Sequence, residues 1–164
     1  MTNEEKSALV DKFDSAYAPI EGLIKGLPDE ALRFVPPIDD AWSISDHLVH
    51  LLDGEVAVYF RLRNAVASPG AGIQPWDEEA WHGRLAYGSL DGRTCLDIAR
   101  KLRAAESAFL RALIDADWSA YFLEHPERGR LGLEQLLEMY REHLAFHAPL
   151  IKRNRDAWRQ AAGR

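Results

Sequence analysis

The sequence predicts an all-α fold, a four-helix bundle with long connections. Four stretches carry apolar residues at i, i+3, i+4 spacing, and no stretch alternates apolar and polar residues as a half-buried strand does. The length, 164 residues, suits a single helical domain spanning 1–164 with one sizeable core.

The first helical pattern runs from about Asn3 to about Lys25. Thr2 and Glu5 have capping-box spacing, and Leu9, Phe13, Tyr17, Ile20 and Ile24 keep one face apolar. Pro19 is expected to bend this helix because it lacks a backbone donor, and Gly26 with Pro28 ends it. A short helical turn and an extended loop follow, through Pro36-Pro37 and Asp39-Asp40. The second long helix begins at Ser43, with Asp46 reaching back, and stops at Ser68-Pro69-Gly70. Residues 69 to 93 form a long connection. Asp77-Glu78-Glu79 opens a short helix there, and Trp76 and Trp81 are expected to pack it down, or to line a pocket. The third helix is expected to start at Thr94, with Cys95, Ile98, Leu102, Ala105 and Phe109 on its inner face. His125-Pro126-Glu127-Arg128-Gly129 is turn chemistry. The fourth helix runs from about Leu133 to about Ala161, and Pro149 is expected to kink it.

Composition excludes several function classes. A net charge of −6 does not supply the basic footprint that nucleic-acid binding needs. No stretch approaches the roughly 20 apolar residues of a membrane span. The acidic start, Met1-Thr2-Asn3-Glu4-Glu5, lacks a signal-peptide core, so a cytoplasmic location is expected. The single cysteine, Cys95, excludes an internal disulfide and any cysteine-rich zinc site. It sits on an apolar stripe and reads as a small core residue.

The chemistry concentrates in Glu142-His143-Leu144-Ala145-Phe146-His147. Residues four apart share a helix face, about one turn apart, so both imidazoles can reach one ion. They fall inside the apolar stripe of Leu133, Leu136, Leu137, Tyr140, Leu144 and Ile151. Imidazoles facing a core need partners, and either a metal or hydrogen bonds can provide them. An open metal centre uses three protein ligands. His47 and His50 on the second helix both compete for the third place. Periodicity slightly favours His47, whereas Gly54 and Ala57 leave room on the face of His50. On the same helix, Glu55 falls in the apolar stripe, where an unpaired charge is costly. Arg61, Arg100 and Arg103 are its candidate partners. Asp46 is expected to complete the helix cap or to orient His50. Tyr140, on the face of His143, reads as a core tyrosine.

Trp42-Ser43-Ile44-Ser45-Asp46-His47-Leu48-Val49-His50 resembles the signature of the DinB/YfiT superfamily, in which a histidine eight residues after the tryptophan is a metal ligand. Asp77-Glu78-Glu79-Ala80-Trp81, His125-Pro126 with Gly129, and the His143/His147 pair followed by Ile151 and Trp158 continue the resemblance over nearly the whole chain. Where family members commonly carry Gly-Gln after the last ligand, this chain has Pro149-Leu150. The resemblance implies a four-helix bundle, often a homodimer, with a divalent metal, zinc or nickel, on His50, His143 and His147. It implies a small-molecule substrate and either a transferase that uses a low-molecular-weight thiol such as bacillithiol or mycothiol, or a hydrolase. It assigns no further catalytic residue. The alternatives are a non-catalytic bundle whose metal is structural, and a metal-free bundle that binds a partner.

Overall fold

A computed structural model describes residues 1–75 and 77–163. Trp76 lies outside the described residues, and so does its expected packing. The elements run α1 (Asn3–Asp14), α2 (Ala18–Ile24), α3 (Asp29–Arg33), α4 (Ile44–Ala67), α5 (Glu78–Arg84), α6 (Gly92–Ala112), β1 (Phe122–His125), β2 (Gly129–Gly132) and α7 (Leu133–Ala161). The bundle is made by α1 with α2, α4, α6 and α7. α4 packs on both α6 and α7, while α1 packs on α6 and α7 and α2 packs on α7.

The first helix breaks earlier than its proline. A 3₁₀ turn at Ser15–Tyr17 separates α1 from α2. Pro19 has no N–H for the Ser15 carbonyl, and its ring crowds that same carbonyl four residues back, so the break falls there. The third long helix also begins earlier than expected. Asp91, not Thr94, is its cap: its Oδ1 accepts from the Arg93 and Thr94 amides at 2.9 and 3.3 Å. The expected caps of α1 and α4 are both present, with Thr2 paired to Glu5 and Ser43 to Asp46. α7 continues through Pro149 as one helix.

The expected turn at 125–129 is the tip of a two-stranded antiparallel hairpin, which the sequence pattern did not announce. Only Leu123 and Leu131 are buried in it, so the alternation is too short to read. The hairpin takes up the start of the long connection. Gly70 N–H donates to Phe122 O, Ile73 N–H to Glu124 O, and Glu124 N–H to Ala71 O. Beyond it, Asp77 caps α5 by accepting from Ala80 N–H at 3.0 Å.

Among the described residues, two large apolar clusters and a small one of Val49, Tyr87 and Cys95 fill the bundle. One large cluster gathers Phe13, Val58, Leu62, Leu110, Leu133, Leu136 and Leu137. The other large cluster gathers Tyr17, Ile20, Ile44, Leu48, Leu51, Leu144, Ile151 and Trp158. Glu55 and Arg103, each 1% exposed, link α4 to α6 between them. The Arg103 guanidinium donates from Nε and Nη2 to the two Glu55 oxygens at 2.6 and 2.7 Å, and from Nη1 to Phe13 O at 2.8 Å. Tyr17 Oη donates to Glu55 Oε2 at 3.0 Å. The Arg103 guanidinium lies 3.7 Å from the Phe13 ring centre and 5.2 Å from that of Tyr17. Of the three candidate partners, Arg103 is thus the one that neutralises Glu55. Arg61 instead donates to Tyr140 Oη at 2.5 Å, and Arg100 pairs with Glu21.

Removing one member of this pair strands the other charge in the core. Arg103→Leu is therefore expected to lower stability by about 3–5 kcal/mol in urea unfolding. The double variant Glu55→Leu/Arg103→Leu is expected to lose less than Arg103→Leu alone. A double variant as unstable as the sum of both singles would contradict this account.

Candidate metal centre

α4 and α7 deliver four histidines to one place. Every residue from Ser43 to Leu51 is buried, so the start of α4 is covered on all sides and both His47 and His50 point into protein. This is why periodicity could not choose between them: the apolar stripe is not the only buried face. His50 is 0% exposed and His147 4%, while His143 is half-buried. Gly54, one turn after His50, faces the His143 ring. A Cβ there would sit 3.0 Å from His143 Cε1, so the missing side chain is what admits the imidazole.

The Nε2 atoms of three histidines converge. His50 Nε2 stands 2.8 Å from His143 Nε2, and His147 Nε2 stands 3.1 Å from the same atom. Ligand nitrogens from all three lie within 4.8 Å of one another. A tetrahedral ion with imidazole bonds of about 2.0–2.1 Å wants its nitrogens about 3.3–3.4 Å apart, close to this spacing. Hydrogen bonding alone serves the cluster poorly. A neutral ring nitrogen offers either one proton or one lone pair, yet His143 Nε2 meets two such neighbours. A shared cation satisfies all three at once.

Electrostatics keep these rings neutral. Burial holds His50 down to about 3, helped by His143 and His47. Burial with His143 and His50 nearby holds His147 at about 2. His143 is lowered to about 4 by burial and then by the Arg103 cation, and His47 to about 4 mainly by burial. At neutral pH each imidazole therefore has a lone pair to give.

Other groups surround the triad. Glu78 Oε2, from the first turn of α5, stands 3.4 Å from His50 Nε2, and the Glu78 side chain is 59% exposed. Burial, with Glu79 and Asp77 beside it, pushes the Glu78 carboxyl up. Trp42 stacks on His82 at 4.3 Å and meets His50 edge-on at 5.2 Å. His47 Nδ1 approaches His147 Nδ1 at 3.1 Å, on the other edge of that ring from the triad. His47 therefore stands beside the three nitrogens and not among them. Asp46 is spent on the cap, where its Oδ2 accepts from Ser43 N–H and Oγ–H, and the same oxygen lies 3.8 Å from His82 Nε2. His125 is elsewhere, accepting from Glu127 and Arg128 amides in the hairpin turn.

Two cavities flank α5. One of about 240 Å³ is bordered by Trp42, His47, Glu78, Phe146, His147 and Arg153. A larger one, about 460 Å³, is mostly apolar and bordered by Val56, Phe60, Arg61, Ile73, Trp81 and Leu123, so Trp81 does line a pocket. Tyr140 is buried beside His143 and is held by Arg61, as a core tyrosine with a partnered hydroxyl. Glu78 escaped the sequence reading as an individual residue. The acidic run Asp77-Glu78-Glu79 was visible, but only the fold shows which of its members faces His50.

Comparison with known proteins places the chain among relatives of the same fold. A relative from Bacillus subtilis, named "Putative metal-dependent hydrolase YfiT", is 23% identical over 147 residues, covering 90% of this chain and 82% of that protein. A similarly named relative from Oceanobacillus iheyensis is 28% identical over 116 residues, 68% of this chain and 66% of that protein. The solved structure of the Bacillus subtilis protein superposes with a TM-score of 0.82 at 22% identity, covering 99% of this chain and 90% of that one. It is described as having "an unusual four-helix bundle topology". The sequence pattern of the DinB superfamily matches residues 12–151, and the chain belongs to that superfamily.

Proposed function

We propose that this chain is a metal-dependent hydrolase that holds one divalent ion on His50, His143 and His147. The observation that carries this reading is the convergence of three Nε2 atoms from two helices, that of His143 standing 2.8 Å from that of His50 and 3.1 Å from that of His147. Zinc and nickel both suit an all-imidazole donor set. A divalent ion in that place polarises the bond to be cleaved and makes water more acidic.

The rest falls to the protein. Glu78 is the proton acceptor. Its carboxylate stands beside His50 Nε2, and its raised pKa brings it nearer the working pH that a general base needs. Trp42 and His82 wall one side, stacked on each other. The 240 Å³ cavity bordered by Glu78 and His147 is the place from which a small molecule would approach the centre. That cavity, and the half-open Glu78, favour chemistry over a purely structural ion, which would be enclosed. The same arrangement supports a second reading, thiol transfer. Cys95 is buried with Val49 and Tyr87, and burial pushes its thiol up, so a thiol would have to arrive on a small cofactor. Three neutral ligands would leave the ion its full charge to hold a thiolate. A homodimer and a cytoplasmic setting complete the reading. No described helix is long and apolar enough to cross a membrane.

Metal analysis tests the ligand set: His147→Ala is expected to lose stoichiometric metal while the wild type retains it, and full metal in the variant would sink the assignment. Gly54→Val leaves every ligand in place but fills the room of the His143 ring. It is expected to weaken zinc binding in a chelator competition, and unchanged binding would show that the close approach is not needed. For the base, Glu78→Gln should cut hydrolysis of an activated ester such as p-nitrophenyl acetate by about 10²-fold or more with metal content unchanged. An undiminished rate would remove Glu78 from the mechanism.

A further inference from the structure

His47 is the buried histidine that the triad does not use. It stands in the first turn of α4, 3% exposed, with its backbone N–H on Ser43 O and its ring 5.5 Å from Trp42. Its Nδ1 faces His147 Nδ1 at 3.1 Å, and its Nε2 is buried without a hydrogen-bond partner among the described residues. Resting on the reading above, we propose that His47 is the positioning residue of the centre. Its Nδ1 lone pair accepts from His147 Nδ1–H and so fixes His147 as the tautomer with a bare Nε2.

The direction of that bond follows from counting protons. A neutral imidazole carries one N–H. When His147 offers its Nε2 lone pair to a cation, its proton is on Nδ1. That proton points at His47 Nδ1, which must then carry a lone pair, and the proton of His47 resides on Nε2. The reverse arrangement puts the His147 proton on Nε2, between the ring and the place a cation would take. The His47–His147 contact therefore decides whether the third nitrogen is available. A partner of this kind also holds the angle of the ring, which typically governs metal affinity by 10- to 100-fold. A carboxylate or a carbonyl commonly fills such a role. Here no carboxylate contact to His147 is present among the described residues, and a second imidazole supplies the acceptor.

The experiment is zinc affinity by chelator competition on the full chain, with His47→Leu and His47→Asn. Leu keeps the bulk and removes the acceptor. Asn returns an acceptor oxygen close to where Nδ1 stood. His47→Leu is expected to bind zinc about 10- to 100-fold more weakly, with recovery in His47→Asn. In ¹⁵N NMR of the zinc-loaded wild type, His147 should carry its proton on Nδ1 and His47 on Nε2. That spectrum needs no variant, so it stands even where one fails to fold. Wild-type affinity in His47→Leu, a loss that Asn does not recover, or a proton on His47 Nδ1 in the loaded protein would each overturn the proposal. Metal retained by His147→Ala would instead overturn the centre itself, which separates the two failures.

Discussion

The bundle turns on one buried ion pair. Glu55 and Arg103 lie between two apolar clusters, where neither charge is tolerable alone, so α4 and α6 must meet in the one register that brings them together. Arg103 also reaches the Phe13 carbonyl, and Tyr17 reaches Glu55, which ties the broken first helix to the same point. His50 lies five residues before Glu55 on α4, so the helix that the pair positions is also the one that presents His50 and His47. The Arg103 cation has a second effect, lowering the pKa of His143 across the bundle.

Burial is the other organising force at the centre. Polar rings in a core normally cost stability unless something satisfies them. Here four imidazoles are packed into one place, and desolvation keeps them neutral. The arrangement leaves His143 Nε2 facing two other ring nitrogens, more than one proton or one lone pair can satisfy. Gly54 belongs to the same logic, since it gives up a side chain so that the His143 ring can close in.

The sequence made the long helices, most of their caps and the His143/His147 pair legible, because these depend on local spacing. Glu55 stood out as a charge in an apolar stripe, and a partner arginine followed from physical necessity. His50 was harder. Periodicity assumes one buried face, and α4 is buried all round where His50 sits, so only the resemblance to a family pointed to it. The hairpin was missed because just one leucine per strand turns inward. The start of α6 was misread because Asp91 satisfies two amides where Thr94 would satisfy fewer. The approaches of Glu78 to His50 and of His47 to His147 depend on contacts across the fold, which no local pattern encodes.

The three hydrogen bonds between residues 70–73 and β1 all run between main-chain groups, and beside them Ile73 is buried in the same apolar cluster as Leu123. The hydrogen bonds ask only that each donating amide survive, whereas the packing asks for an apolar side chain at 73. Proline at 70 or 73 would cut a rung, and Gly70, at φ +84°, disfavours any side chain as well. The route that carries the chain toward Glu78 is thus moored twice, by N–H groups that only proline removes and by one apolar side chain that a polar residue would pull loose.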